Sequence, residues 1–205
     1  NQGFFGVNMA STGCGKTLAN GRILYALADS QRGARFCVAL GLRTLTLQTG
    51  QAYRDRLSLG EDELAVRVGG GASRALFDYY EKQAEKTGSA SSQSLIEEDG
   101  HVVFEGNFDA HPVLRRLAHD PNARSLIAAP ILVCTVDHLI PATESSRGGR
   151  QIAPMLRLMS SDLVLDEIDD FDLDDLPALT RLVHWAGLLG SKVLLSSATL
   201  PPALV

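Results

Sequence analysis

The sequence predicts an α/β fold, a mainly parallel sheet with helices on both faces. Three observations carry that expectation. Short apolar runs alternate with segments of helical periodicity, the pattern of a sheet wrapped by crossover helices. The runs are continuously apolar, as strands buried on both faces require. The first of them leads through a glycine-rich turn, "ASTGCGKT" at residues 10–17, straight into a helical segment. With 205 residues, 45% of them hydrophobic, one domain with one substantial core is expected.

Taken in order, strands are expected at residues 4–9, 36–40, 64–68, 131–135, 163–165 and 193–196. Helices are expected at 16–28, 44–56, 73–86, 152–159 and 176–189. In the first helix Leu18, Ile23, Leu24 and Leu27 make an apolar stripe at helical spacing. Pro177 sits near the start of the last, where its missing N–H costs little. The pattern breaks over about 87–130, which reads as an insertion. Within it "TGSASSQS" is a flexible loop, "HVVFEGNF" a short strand or hairpin, and "HPVLRRLAHD" a short amphipathic helix. "SSRGGRQ", residues 145–151, is another surface loop, and no internal repeat is present.

Composition narrows the function classes. No run of about 20 apolar residues exists, so no membrane span is expected. No charged-then-apolar leader opens the chain. Cys14, Cys37 and Cys134 are scattered without metal-ligand spacing, which suits a reduced, cytoplasmic protein. The net charge of −5 argues against indiscriminate nucleic-acid binding but leaves room for a local basic groove. Both ends look cut, so a fragment of a longer protein is expected.

Three motifs carry chemistry. In the first, Ser11, Thr12, Gly13, Cys14, Gly15, Lys16 and Thr17 follow a strand and open a helix. Glycines let successive N–H groups turn inward on a phosphate, reinforced by the helix N-terminus. Lys16 would reach the β- and γ-phosphates of ATP, and the Thr17 hydroxyl would bind Mg²⁺. The usual leading glycine is Ala10 here. In the second, "LVLDEID", an apolar strand delivers Asp166 and Glu167 to its C-terminal end, where α/β folds bind ligands. Asp166 would hold Mg²⁺, and Glu167 would deprotonate the attacking water. Asp172, Asp174 and Asp175 read as a solvated acidic face that favours the next helix's N-terminus. The third motif, Ser197-Ala198-Thr199, places small hydroxyls at a strand end, able to bond the carboxylates and relay nucleotide state.

In this order the three resemble the first RecA-like lobe of superfamily 2 helicases, a P-loop NTPase fold, over nearly the whole chain. The resemblance also labels plainer segments. "ALGLRTLTLQTGQAY" stands where that family contacts nucleic-acid backbone, implicating Arg43 and Thr44. Gly69-Gly70 matches its glycine doublet, and "VCTVDHLI" its next backbone-contacting strand end, implicating Thr135 and Asp137. Taken singly, each is equally a strand end or a tight turn. Amides, threonines and one arginine suit contacts that grip phosphate without reading bases.

"TVDHL", the preceding insertion and "VHWAGLLGSKVLLSSATLPPALV" look more narrowly like the CRISPR-associated helicase-nuclease of type I-F systems. That resemblance implies an upstream HD nuclease domain, a second RecA-like lobe downstream, single-stranded DNA as substrate and recruitment by an RNA-guided surveillance complex. His119-Asp120 is an HD dipeptide without the further histidines such a nuclease needs, and His101, His111, His138 and His184 also lack ligand spacing. Two rivals stay open on the residues alone: another superfamily 2 motor, either a restriction translocase or an RNA helicase, and a non-catalytic lobe that merely binds nucleotide.

Overall fold

The computed structural model describes residues 3–60, 62–68, 121–144 and 149–199. The expected helix at 73–86, Gly69-Gly70, His119-Asp120 and residues 87–120 of the expected insertion lie outside the described residues.

In chain order the strands are β1 (Phe5–Met9), β2 (Phe36–Leu40), β3 (Leu64–Arg67), β4 (Ile131–Thr135), β5 (Asp162–Asp166) and β6 (Val193–Ser197). The described helices are α1 (Lys16–Leu27), α2 (Arg43–Leu57), α3 (Pro121–Ala128), α4 (Pro141–Glu144), α5 (Ile152–Ser160) and α6 (Leu176–Leu188). The strands form one sheet in the order β1-β6-β5-β2-β4-β3, and every neighbouring pair is parallel. The α/β expectation holds, and all six expected strands are present to within a residue or two of their ends.

Alternation along the strands sorts the core into two layers. Phe36, Val38 and Leu40 of β2, Val133 of β4 and Leu194 of β6 pack with Leu24 of α1 and Tyr53 of α2. Cys37 and Ala39, Leu132 and Cys134, Leu163 and Leu165 face the other way, against Leu126 of α3, Leu158 of α5 and Leu182 of α6. Each fully buried leucine or valine contributes about 1.5–3 kcal/mol relative to exposure. Helix α2 lies so close to β3 that a Cβ on Gly50 would meet Val66 Cγ2 at 2.5 Å. Only glycine permits that approach.

Helix α3 was not anticipated from the sequence. Its eight residues are too few to show a period, and its identity comes from packing, with Ala123, Leu126 and Ala128 buried in the core. Its C-terminal carbonyls are held by two arginines. Arg35 donates to the carbonyls of Ile127, Ala128 and Ala129. Arg157 of α5, with no exposed surface, donates to Ala129 O at 2.5 Å, Pro130 O at 2.9 Å and Phe36 O at 2.6 Å. One guanidinium thus joins α5 to the starts of β2 and β4. Its planar fork suits several acceptors at once, which an ammonium would not match.

Arg157→Met should therefore lower unfolding free energy by about 3 kcal/mol, since it removes a buried charged donor from three carbonyls and a hydrogen bond to a charged group is worth about 1.5–3 kcal/mol. Arg157→Lys should recover only part of the loss. Urea titrations of the three proteins check this, and a wild-type midpoint for Arg157→Met would show that the clamp does not matter.

Candidate active site

Parallel pairing sends every strand's C-terminus to one edge of the sheet, and the first motif sits there after β1. Gly13 (φ 84°) and Gly15 (φ 85°) are left-handed, a conformation that glycine adopts without penalty. A Cβ on either would meet nothing within 4 Å, so the loop faces open space. Ser11, Thr12, Gly13, Cys14 and Gly15 are exposed, Thr17 is half-buried, and Lys16 is buried at the first turn of α1. The loop is braced internally by Cys14 N–H to Ser11 O at 3.3 Å. Behind it, the Tyr53 hydroxyl donates to Thr17 O at 2.9 Å and ties α1 to α2.

Strand β5 runs one residue further than expected, so Asp166 is its last residue, level with Ser196 of β6. Glu167 follows in a left-handed turn (φ 52°), a conformation that costs a non-glycine residue about 1–2 kcal/mol. Its carboxylate stands 3.5 Å from Lys16 Nζ, joining the first and second motifs. Burial raises the Asp166 pKa, opposed by hydrogen bonds from Ser196, the Glu167 N–H and Asn20 and by the Lys16 charge. Burial and then the neighbouring Asp166 charge raise that of Glu167, against the pull of Lys16. A carboxylate shifted upward is the better proton acceptor near neutral pH.

The third motif also reaches this edge. Ser197 ends β6, and its hydroxyl lies 2.6 Å from Asp169 Oδ1. Thr199 Oγ1 donates to Asp169 Oδ2 at 3.0 Å, and the Thr199 N–H donates to Ser197 Oγ at 3.2 Å. Asp169 is therefore gripped by both hydroxyls, with Ala198 as the spacer between them. Sequence reasoning did not single out Asp169, although its place in "DEID", one short turn after Asp166, was the available signal. It also missed Asn8, Asn20 and Ser196, whose polar side chains meet behind the loop. Asp172, Asp174 and Asp175 are exposed, as a solvated face would be.

The strand-end residues assigned to nucleic acid share this edge, one and two strands beyond β5. Arg43 opens α2 immediately past β2 and is half-buried, and Thr44 is exposed. Thr135 ends β4 with its side chain buried. Asp137 is exposed in the short turn that follows. Among the described residues, no group of three or more His, Cys, Asp or Glu side chains converges as a metal centre. A Mg²⁺ site built on one carboxylate and one hydroxyl would not form such a group.

No protein-family model matches the chain. Over 203 residues it is 68% identical to the CRISPR-associated nuclease/helicase Cas3 subtype I-F/YPEST of Pseudomonas aeruginosa, covering 99% of this chain. The chain corresponds to one segment of the subtype I-F Cas3 proteins. The Cas3 of Pectobacterium atrosepticum is 58% identical over 212 residues. The match covers 19% of each relative's length, so the chain spans about one fifth of them. Among solved structures, T. fusca Cas3 with ADP matches at a TM-score of 0.63 and 19% identity, over 98% of this chain and 19% of that one. T. fusca Cas3 with ATP matches at 0.63 and 18% identity, with the same coverage. A chain of a CRISPR RNA-guided surveillance complex, pre-nicking, matches at 0.53 and 18%, over 98% of this chain and 16% of that one. At these identities the Cas3 structures establish the fold, a RecA-like α/β lobe.

Two substitutions separate the roles of the paired residues. Lys16→Ala in the full-length protein should weaken ATP binding and abolish hydrolysis, because it removes the cation that faces the phosphates. Glu167→Gln should keep ATP binding while turnover falls about 10²–10⁴-fold, the usual worth of a general base. Equilibrium binding and steady-state turnover, measured side by side, check both. Normal turnover in Glu167→Gln would move the base elsewhere in the acidic run.

Proposed function

We propose that this chain is the ATP-binding lobe of an ATP-dependent DNA helicase-translocase, the motor of a type I-F CRISPR helicase-nuclease. The observation that carries the reading is the meeting of Lys16 with Asp166 and Glu167 on the edge where Asp169 joins Ser197 and Thr199. The open, left-handed glycine loop suits a triphosphate, and the hard oxygens of Thr17 and Asp166 suit Mg²⁺. When bound, the metal would neutralise phosphate charge that grows in the transition state. Lys16 would swing its ammonium from Glu167 to the β,γ-phosphates. Glu167 would orient the attacking water and take its proton. The bond between Asp169 and the two hydroxyls would carry the change at Glu167 into β6.

Partner assignments follow the relatives. The strand-end edge bearing Arg43, Thr44 and Thr135 would lie along single-stranded DNA, with Arg43 supplying charge, and Gly69-Gly70, assigned from the sequence resemblance, would add a further backbone contact. A second RecA-like lobe would close on the nucleotide, an HD nuclease domain would cut the DNA, and an RNA-guided surveillance complex would recruit the whole. Of the expected 87–130 insertion, α3 belongs to the core of the lobe, and in our reading the insertion is residues 87–120. The setting is the cytoplasm, and no helix among the described residues is long and apolar enough to cross a membrane.

The test is ATP turnover by the full-length protein with single-stranded DNA, with RNA and with neither. Stimulation by DNA is expected; stimulation by RNA alone would make it an RNA helicase, and none at all a nucleotide-binding lobe without a motor. In the same protein Arg43→Ala should weaken single-strand binding without altering sequence preference, because phosphate contacts carry no base information. Its slope of log affinity against log salt should shrink by about 0.7, one phosphate's worth on a single strand. An unchanged slope would make Arg43 a structural residue. The 205-residue chain alone should hydrolyse ATP slowly, because an arginine from a second lobe contributes on the order of 10³–10⁵ in such enzymes.

A further inference from the structure

Asn20 is a polar side chain with no exposed surface, on the second turn of α1. It belongs to none of the three motifs. Its surroundings explain why it is buried. Asn8 Nδ2, on β1, donates to Asn20 Oδ1 at 2.7 Å. That contact fixes which end of the Asn20 amide is oxygen. The amide nitrogen therefore faces the other way, and Nδ2 donates to Ser196 Oγ on β6 at 2.9 Å. Ser196 stands level with Asp166 in the parallel register, so the two side chains share one face of the sheet, and Ser196 and Asn20 both favour the ionised Asp166 carboxylate.

The order of donors matters. Ser196 has one hydroxyl hydrogen, and since its oxygen accepts from Asn20, that hydrogen is left to turn toward Asp166, its neighbour in the register. Asn20 has two amide hydrogens, enough for Ser196 and Asp166 together. The chain thus runs one way, from Asn8 through Asn20 and Ser196 to Asp166, across β1, α1, β6 and β5. Every donor in it is neutral. A lysine or arginine in the place of Asn20 would also orient the carboxylate but would cancel its charge. Two neutral donors fix its rotation and leave the anion whole for a cation.

We propose that Asn20 is a positioning residue for metal binding, which with Ser196 sets the orientation in which Asp166 meets the Mg²⁺ of a bound nucleotide. The inference rests on the assignment of Mg²⁺ to Asp166 made above. It explains why a buried asparagine stands in α1, whose other buried residues are Lys16 of the loop, Gly21 and Leu24.

The experiment measures nucleotide affinity rather than turnover, in the full-length protein. ADP and a non-hydrolysable ATP analogue are titrated calorimetrically, once with Mg²⁺ and once with a chelator. The ratio of the two affinities is the metal's contribution. In Asn20→Leu and in Ser196→Ala that ratio should fall about tenfold, the usual lower cost of removing a group that orients a metal ligand. Affinity without metal should stay at the wild-type value. Asp166→Asn should lose the same contribution, and the Asn20→Leu/Asp166→Asn double variant should lose no more than either, as residues acting through one group are non-additive.

Ser196→Ala deletes a single oxygen and keeps the proposal testable if Asn20→Leu does not fold. A wild-type ratio in both variants, with Asp166→Asn impaired, would overturn the role of Asn20 and leave the site intact. Equal losses with and without metal would also overturn it, showing that Asn20 merely holds α1 in place. A wild-type ratio in Asp166→Asn would overturn the metal assignment itself, and this inference with it.

Discussion

Because all six strands run parallel, each of them ends on the same edge of the sheet, and whatever chemistry a strand end carries is delivered there. Register then decides which ends touch. Asp166 pairs with Ser196, and Met9 with Ser197, so the loop after β1, the carboxylates after β5 and the hydroxyls after β6 converge although more than 150 residues separate the first from the others. A one-residue slip of β6 would turn Ser196 away from Asp166 and Ser197 away from Asp169. The site depends on that register more than on any single side chain.

The opposite edge supplies the rigidity. There Arg157, Arg35 and Lys192 donate to main-chain carbonyls, with Lys192 reaching Leu27 O at 2.5 Å and Asp162 at 3.6 Å. Their partners are the ends of helices α1 and α3 and the starts of strands. Cations at helix C-termini are favourable because they face the partial negative charge of unpaired carbonyls. At the catalytic edge the arrangement is reversed. One buried cation, Lys16, faces carboxylates and an open loop, and its partner Glu167 is half-exposed. The same charge type holds the fold together at one edge and is available to a ligand at the other.

Asp166 and Glu167 are adjacent in sequence yet sit in different surroundings. Asp166 is the last residue of a buried strand and is fixed by neutral donors. Glu167 lies beyond the strand in a left-handed turn, touched by the buried Lys16 ammonium. Strain at such a position persists only where the neighbouring structure holds it, here a short helical turn whose Asp169 is gripped by Ser197 and Thr199. Two adjacent carboxylates thus stand in different surroundings, one fixed and buried and one half-exposed beside a cation.

Much of this was legible in the residues. Continuous apolar runs gave away all six strands, and the local order of glycines, Lys16 and Thr17 gave away the left-handed loop and the helix that opens after it, because backbone conformation and helix initiation are decided by neighbours in the chain. The "DEID" run showed that Asp166 and Glu167 stand at a strand end. What the residues could not show is which strands lie side by side, since parallel pairing leaves no mark in local periodicity. Helix α3 is too short to display a period and exists because Ala123, Leu126 and Ala128 find a core and two arginines take its carbonyls. Asn20 reads in sequence as an unremarked polar residue in an amphipathic helix. Only the packing of α1 against β1 and β6 shows that it is buried and that it bonds Asn8 and Ser196, the residue level with Asp166.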